Sequence, residues 1–440
     1  MKRIPYVASS AAVGLSMLLS MNAVAATQGS VAHKTITIQL CSSGPYGVPA
    51  LKDLWQGARN GVDLAIYAMR PKLAKVGVRI GPQIRLDDAA ADGSKYSPDV
   101  ERSNALKCLG DKTVMGYVGT LNSGAALVSE PVLNRGHLVM ISPANTGIGL
   151  TSFAPYGGVG GRASQEPATF HGQIPFVTYY RTVTTDGLQG PAGALFAKAS
   201  LHASSVYIVD DKLTYGAGLA ATFQTEAQRL GIKVLGHGHI DSSSPAAEAQ
   251  TAQSLATTIK SKNPSVVYCG CDSETVLALP RNLRAAGYTN PFMGGDAIEN
   301  SAWITDTKQG SVNNYATSVG PPPTGASAHF RTLYRTLFKG FFNSPGIQSY
   351  DATAYDAASI ILTAIYQAAK AHQLTGNLTH MRTMVVRHVR FIHYCGATGC
   401  MSFDNNGDTT NQILSVYKVS GSNWAFVREV KAPTGFKPAP

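Results

Sequence analysis

Charged residues are scarce in this sequence, and their arrangement does not suit a polyanionic partner. Only 14% of the 440 residues are charged, although 37 Lys and Arg against 26 Asp and Glu give a formal net charge of +11. The sequence has no Lys/Arg run, no basic stripe interleaved with aromatic residues and no zinc-finger spacing, which are the usual marks of nucleic-acid binding. We therefore expect no nucleic-acid partner and attribute the basic balance to solubility or compartment.

The short motifs of common catalytic and nucleotide sites are also missing. The sequence contains no G-x-S-x-G elbow, no Walker A motif and no G-x-G-x-x-G. The adjacent pairs Asp87–Asp88 and Asp210–Asp211 fall in predicted strands, where neighbouring side chains point to opposite faces. They cannot form a simple carboxylate dyad, so strand-end capping is the better interpretation. We expect a protein that is not an enzyme and needs no cofactor.

Long apolar runs are absent except at the N-terminus. Lys2 and Arg3 precede an apolar stretch from Ile4 to Met21, and Ala23-Val24-Ala25 fits the small-x-small cleavage rule. This pattern predicts a secretory signal peptide over residues 1–25, with an uncleaved membrane anchor as the alternative. Cys41 lies too far downstream to be a lipidated residue. We expect an exported, periplasmic protein without a lipid anchor.

The chain has only six cysteines, a number that fits disulfides in an oxidising compartment. Cys395 and Cys400 frame the short loop "CGATGC" and are the best disulfide candidate, while a Cys41–Cys108 bond is possible. Cys269 and Cys271 fall on one predicted strand with their side chains on the same face. Because a direct bond there would strain the backbone, we expect these two to remain thiols.

What the sequence does contain is a regular alternation of strand and helix patterns. In the first half, the predicted strands are 34–40, 83–89, 113–119 and 137–142, and the predicted helices are 51–69, 97–109 and 124–136. Pro131 is expected to interrupt or kink the last helix. After a Gly/Pro-rich loop at 152–176 the alternation restarts, with strands 205–210, 232–240, 264–270 and 291–295, and helices 216–230, 246–261, 273–286, 326–341 and 351–371. The pattern predicts an α/β protein with two doubly wound parallel-sheet lobes.

Two predicted strands end in turns rich in small polar residues. Strand 113–119 is followed by "TLNSG" and strand 137–142 by "PANTG". In open parallel sheets, ligands bind beyond the carboxyl ends of the strands, where helix N-termini offer free N–H groups to anions. Asn122 or Ser123 is also expected to cap the following helix. Two such turns separated by one helix suit a carboxylate better than a large phosphate.

Two groups of residues resemble metal ligands without matching a known spacing. His237 and His239 alternate on one strand face and could hold a metal, but a surface location without one is the preferred interpretation. His388 and His393 lie near Cys395 and Cys400, where the expected disulfide competes with zinc. "DNNGD" (404–408) lacks the calcium-loop spacing, and its Asn-Gly step predicts a hairpin turn instead.

Several segments, taken together, resemble the periplasmic leucine/isoleucine/valine-binding proteins, the amino-acid branch of the type I solute-binding family. They are "SGPYG" (43–47), "LDDAAAD" (86–92), "VGTLNSGAALVSEPVLNRGHLVMISPANTGIGLT" (118–151), "LQGPAGA" (188–194), "VDDKLTYGAGLA" (209–220), "MGGDAIEN" (293–300) and "FDNNGD" (403–408). The resemblance implies a type I periplasmic binding protein whose two lobes, joined by three crossover strands, close on a small ligand. It places 27–181 and 319–401 in the N-terminal lobe, and 182–318 and 402–440 in the C-terminal lobe.

The resemblance also implies how an amino acid would be bound. Ser123, in the turn with Asn122, corresponds to the residue that binds the ligand carboxylate through its side chain and N–H. Ala144, through its backbone, and Thr146 correspond to the second binding turn, at the carboxylate and ammonium. Asp296 falls where the family keeps an acid for the ammonium. The implied partners are an amino acid or related small molecule and the permease subunits of an ABC transporter, and a monomer is expected.

The predicted ligand side-chain pocket departs from the family. Tyr215 matches an aromatic residue that covers the ligand side chain, but "CGCDSE" (269–274) stands where an aromatic residue often packs on the ligand. An aromatic residue is also missing at Val48–Leu51, and the stretch around 153–175 is unusually long. Asp272 would favour a polar or cationic ligand side chain if it faces the cleft. An amide, urea or aromatic acid remains the alternative ligand, and a sensory binding module the alternative role.

Overall fold

The computed structural model describes residues 35–152, 177–320, 322, 324–338 and 347–431. The predicted signal peptide and the Gly/Pro-rich stretch at 153–175 lie outside these residues. The strands are β1 (Ile36–Gly44), β2 (Val78–Ile80), β3 (Ile84–Asp87), β4 (Val114–Gly119), β5 (Met140–Ser142), β6 (Tyr179–Arg181), β7 (Ser205–Asp210), β8 (Lys233–His239), β9 (Val266–Gly270), β10 (Phe292–Gly294), β11 (Asn314–Ser318), β12 (Tyr394–Gly396), β13 (Gly399–Met401), β14 (Ser415–Ser420) and β15 (Asn423–Glu429). The α-helices are α1 (Lys52–Ala74), α2 (Pro98–Gly110), α3 (Ser123–Arg135), α4 (Asp186–Ala199), α5 (Thr214–Arg229), α6 (Pro245–Lys262), α7 (Ala278–Ala285), α8 (Ser301–Thr307), α9 (Ala326–Phe338), α10 (Asp351–Lys370) and α11 (Leu378–Arg390).

Several helices begin where local sequence signals require it. The Ser97 side chain accepts a hydrogen bond from the Val100 N–H, and Pro98 occupies the first turn of α2, where no intrahelical donor is lost. The same Ser-Pro arrangement starts α6, where Ser244 caps the Ala247 N–H. These signals position the helix N-termini relative to the strand ends that precede them.

The first sheet is parallel, with strand order β2/β3–β1–β4–β5–β6. β2 pairs with the first half of β1 and β3 with the second half, so the two short strands act as one interrupted strand. β4 is buried along its whole length, as expected for a parallel sheet covered on both faces. Met115 and Val118 pack on the same core as α1 and α10, and Tyr117 packs in a second cluster with α2 and α3.

The second sheet has the order β8–β7–β9–β10–β11–β14–β15. It is parallel from β8 to β11, and β14 and β15 join antiparallel at one edge. The side chains of β7 alternate between two cores: Val206 and Ile208 belong to the core that includes α4 and α5, and Tyr207 and Val209 to the one formed with α6 and α7. The fold is therefore the predicted α/β architecture, with parallel-rich sheets in two lobes.

Within the described residues the chain passes between the sheets after β6, after β11 and between β13 and β14. Two of these crossings are bonded to each other, because Arg181 Nε lies 2.6 Å from Asp408 Oδ1 and the Arg181 N–H donates to the Gly407 carbonyl. Gly407 has φ +95 and packs against the Tyr179 carbonyl, so the predicted Asn-Gly turn occurs where the backbone is crowded. The polar turn at 404–408 thus secures a crossing.

Several local predictions differ from the structure. α3 continues through Pro131 and ends at Arg135, so of the two alternatives expected at Pro131 the interruption is wrong, and the kink stays a prediction. The helix predicted at 273–286 is divided into a 3₁₀ turn, Ser273–Thr275, and α7. Helices α4, α8 and α11 and the short strand β2 were not predicted; β2 shows too few residues for an alternation to be recognised.

All six cysteines are paired: Cys41–Cys108, Cys395–Cys400 and Cys269–Cys271. The expectation that Cys269 and Cys271 remain thiols is therefore wrong. It assumed that both lie on one regular strand, but β9 ends at Gly270 and the chain turns there. The two Cα atoms are 5.5 Å apart, within the ordinary range for a disulfide.

Candidate functional site

The carboxyl ends of strands from both sheets meet at a cavity of about 20 Å³. The first lobe contributes lining residues from the turns after β4 and β5 and from the starts of α1 and α10: Leu51, Leu54, Leu121, Asn122, Ser123, Ala144 and Tyr350. The second lobe contributes lining residues from α5 and from the turns after β9 and β10: Tyr215, Asp272, Glu274, Asp296 and Ala297. The volume is that of about one water molecule, so a larger ligand can be accommodated only if the lobes move apart.

The N-terminus of α3 points a polar turn at this cavity. Asn122 is the N-cap residue, but its side chain makes no capping hydrogen bond, so the expected side-chain cap is not formed. Ser123 instead connects the two polar turns, because its hydroxyl accepts a hydrogen bond of 3.1 Å from the Gly147 N–H. Amides of the first helical turn that no side chain caps are suited to an anion.

The second polar turn is held by Ser142 and Arg181. The Ser142 hydroxyl accepts from the N–H groups of Ala144 and Asn145, and Arg181 donates to the carbonyls of Asn145 and Gly147. Ala144 lines the cavity. Thr146 does not line it: the residue is buried beside it, and its carbonyl accepts from the Asp186 N–H at the start of α4.

Asp296 is the most strongly hydrogen-bonded carboxylate of the cavity. Its Oδ1 accepts from Gln189 (2.8 Å) and from the Tyr215 hydroxyl (2.9 Å), and its Oδ2 accepts from the Tyr350 hydroxyl of the opposite lobe. Burial raises the pKa of Asp296, and the three hydrogen bonds oppose that rise. Tyr215 therefore orients Asp296 as well as covering the cavity.

Two further carboxylates, Asp272 and Glu274, lie in the turn after β9. Asp211 holds this turn, because its Oδ2 accepts from the Asp272 N–H and from the Thr275 hydroxyl, both at 2.8 Å. Burial and the neighbouring carboxylates Glu274 and Asp211 raise the pKa of Asp272 well above its usual value. Burial raises the pKa of Glu274 to about 7. The turn thus presents an acidic wall to the cavity.

Six of the seven residues singled out from the sequence, all except Thr146, line the same cavity. Sequence reasoning missed Glu274 and Tyr350 as lining residues. Glu274 stands two positions after Asp272 in the same turn, which was a usable signal. Tyr350 directly precedes α10 and lies 54 residues from Asp296 in sequence. No local pattern connects the two residues.

The two groups that resemble metal ligands lie away from this cavity. Asp210 accepts hydrogen bonds of 2.7 Å from both His237 and His239, and these bonds account for the grouping of the three residues. His393 lies beside Cys395, whose sulfur is bonded to Cys400. Neither group contributes a residue to the cavity lining.

Among the described residues, no helix has both the length and the apolar composition needed to cross a membrane.

Comparison with known proteins agrees with this architecture. The family model described as "Periplasmic binding protein" matches residues 35–423. The Leu/Ile/Val-binding protein BraC3 of Rhizobium johnstonii is 25% identical over 88% of this chain and 92% of its own length. The leucine-binding protein LivK of Thermotoga maritima superposes with a TM-score of 0.71 at 19% identity, covering 90% of this chain and 99% of its own.

A second solved structure, LivJ of Streptococcus pneumoniae in complex with isoleucine, has a TM-score of 0.70 at 17% identity. It covers 90% of this chain and all of its own. Similarity at this level of identity shows that the fold is shared.

Proposed function

Because the chain belongs to the periplasmic binding protein family, we propose that it is the substrate-binding protein of an ABC transporter and captures an amino acid between its two lobes. It acts outside the cytoplasm after removal of residues 1–25, as a monomer that performs no reaction and delivers its ligand to permease subunits. The N-terminal lobe comprises 27–181 and 319–401, and the C-terminal lobe 182–318 and 402–440. The names of its relatives, which specify leucine, isoleucine and valine binding, support this class of ligand.

The proposal rests on one observation: a group that favours an anion and a group that favours a cation lie in the same cavity, one on each lobe. The α3 N-terminus, with Asn122 and Ser123, offers N–H groups to a carboxylate. Asp296, which lies on the other lobe, offers a negative charge to an ammonium of the ligand. An α-amino acid carries both groups on one carbon, so it would bridge the lobes.

The bonds between the lobes indicate how capture would work. Tyr350 reaches Asp296 across the cavity, Asn122 Nδ2 lies 3.4 Å from Glu274 Oε1, and Lys95 donates to the Ser242 carbonyl at 3.0 Å. The ligand must enter while these bonds are broken, because the closed cavity is too small to admit it. Closure of the lobes then removes water from the ligand.

Calorimetry on Asp296→Asn and Ser123→Ala, with an amino acid found by thermal-shift screening, tests the proposal. Asp296→Asn removes the charge opposite a buried ammonium, so we expect a loss of about 3 kcal/mol, roughly a hundredfold in Kd. Ser123→Ala retains the backbone N–H and should cost about 1 kcal/mol. Circular dichroism of both variants checks that they fold. If Asp296→Asn binds within threefold of the wild type, no ammonium is bound there and an amide or aromatic-acid ligand is supported instead.

A further inference from the structure

The charge of the cavity wall differs from that of the whole chain. The sequence carries a formal charge of +11, yet the lining residues include three carboxylates, Asp272, Glu274 and Asp296, and no Lys, Arg or His. One carboxylate is sufficient for the ammonium of an amino acid. The other two are additional, and both lie in the turn after β9.

This acidic turn is held by other residues, so its carboxylates are not needed to build it. Asp211 accepts the turn's N–H and hydroxyl hydrogen bonds, and the Asn300 side chain lies 3.4 Å from the Ser273 hydroxyl. Glu274 Oε1 is 3.4 Å from Asn122 Nδ2, a long contact, and Glu274 Oε2 has no hydrogen-bond partner among the described residues. The carboxylate of Glu274 is therefore available to a ligand.

A second observation independently indicates a ligand with hydrogen-bond donors. Asn122 is only 4% exposed and lines the cavity, and its Oδ1 has no partner among the described residues. An unpaired acceptor in a buried position is costly unless a donor reaches it. Asn122 Oδ1 and Glu274 Oε2 both accept, so the group that satisfies them must donate.

These features decide against an apolar ligand side chain. Burial of Asp272 and Glu274 against a leucine side chain would leave two carboxyl groups without a hydrogen-bonding or ionic partner, which is unfavourable whether they are ionised or hold a proton. The other side of the cavity is apolar, since Leu51, Leu54 and Leu121 line it. An aliphatic stem that ends in a cationic group matches both surfaces.

We infer that this protein selects an amino acid with a cationic side chain, and that Asp272 and Glu274 bind the side-chain cation while Asp296 binds the α-ammonium. The inference rests on the proposed function and adds the class of ligand. It assigns a specificity role to the "DSE" turn (272–274).

Calorimetry with L-lysine and L-norleucine tests the inference on the wild-type protein, because the two amino acids differ by the terminal ammonium. L-Lysine, or L-arginine as a second cationic probe, should bind at least a hundredfold more tightly than L-norleucine. Asp272→Asn and Glu274→Gln should each weaken L-lysine binding at least tenfold and leave L-norleucine binding unchanged or tighter. Asp306→Asn, an equal change of charge on α8 outside the cavity lining, should leave the ratio unchanged.

The outcomes separate this inference from the proposed function. If L-norleucine or L-leucine binds as tightly as both cationic amino acids, the protein still binds amino acids and the inference about a cation is overturned. Cadaverine, which lacks the α-carboxylate, is the opposite probe. If cadaverine binds while all the amino acids fail, the cation site is supported and the amino-acid proposal is rejected. If none of these compounds binds, both are rejected.

Discussion

At the scale of single residues, the buried carboxylates fall into two groups according to their partners. Glu101 accepts hydrogen bonds of 2.6 Å from both Ser43 and Tyr117, and Asp296 accepts from three donors. Glu274 has one long contact with Asn122. Several donors fix the position of a buried carboxylate, whereas a carboxylate oxygen without a donor is open to a donor group of a ligand.

The charge of Glu274 should make ligand affinity depend on pH. Burial raises its pKa to about 7; Asp211 adds to the rise and Lys95 opposes it, while Asp272 and Tyr96 are the other titratable groups nearby. A bound cation favours the ionised form, so affinity for L-lysine should rise by about tenfold between pH 5.5 and 7.5 and level off above. Calorimetry at four pH values measures this. The Glu274→Gln variant should show a flatter profile, and an equally steep one would assign the titration to another group.

Glu101 should make stability fall as pH rises. Burial raises its pKa to about 7 from the ordinary 4.5, so the folded protein holds a proton that the unfolded chain releases. Its contribution to stability is complete below pH 4.5 and is lost as pH rises through 7, a change of about 3 kcal/mol at most. The free energy of unfolding in urea should be measured at pH 4.5 and 7.5 for Glu101→Gln and for the wild type. The difference between the variant and the wild type should shift in favour of the variant by up to about 3 kcal/mol at the higher pH. The exposed Asp99→Asn on the same helix is the control. A constant difference between Glu101→Gln and wild type would contradict the prediction.

At the scale of elements, the disulfides join parts of the fold that differ in sequence separation. Cys41 on β1 is bonded to Cys108 on α2 across 67 residues, whereas Cys395 and Cys400 join β12 to β13 across five. A bond that closes a longer loop removes more entropy from the unfolded chain. The two bonds should therefore contribute unequally to stability.

Removal of the Cys41–Cys108 bond by double replacement with Ala should lower the free energy of unfolding by about 4 kcal/mol. The same model gives about 2 kcal/mol for the Cys395–Cys400 bond, which is replaced by Ser because both residues are exposed. Equilibrium denaturation of the two double variants compares them. Equal losses would show that native-state packing, and not loop closure, determines the contribution.

At the scale of the whole molecule, the two lobes are joined by three crossings and by bonds across the cavity. The crossings near Arg181 and Asp408 are bonded to each other, so we expect them to move as one unit when the lobes open. The bonds at Lys95, Asn122 and Tyr350 would be the ones that break when the lobes open.

A cross-link between the lobes should trap the protein in its closed form. The Lys95 side chain reaches the Ser242 carbonyl of the other lobe, and cysteines introduced by Lys95→Cys and Ser242→Cys can be joined by a short bismaleimide, a spacer longer than a disulfide. The cross-linked variant should lose ligand binding, because the closed cavity is too small for entry, whereas the same variant before cross-linking should bind. Small-angle scattering of the wild type, with and without ligand, gives the matching measurement of compaction. Undiminished binding by the fully cross-linked variant would show that the lobes need not open.

The sequence by itself determined the fold class and most of the strand and helix order, because hydrophobic periodicity and helix start signals act within a few residues. The composition of a strand-end turn also indicated Ser123 as a site residue, whereas Asp272 and Asp296 were indicated by the resemblance to the family. Sequence patterns over a few residues did not reveal the turn that pairs Cys269 with Cys271.

Only the tertiary structure decided how these residues combine into a site. Tyr350 and Asp296 come from different lobes, and their hydrogen bond depends on how α10 is packed. The acidic character of the cavity likewise appears only when Asp272, Glu274 and Asp296 are brought to one wall. Burial and the mutual approach of charges arise from contacts between residues distant in sequence, and no local pattern encodes them.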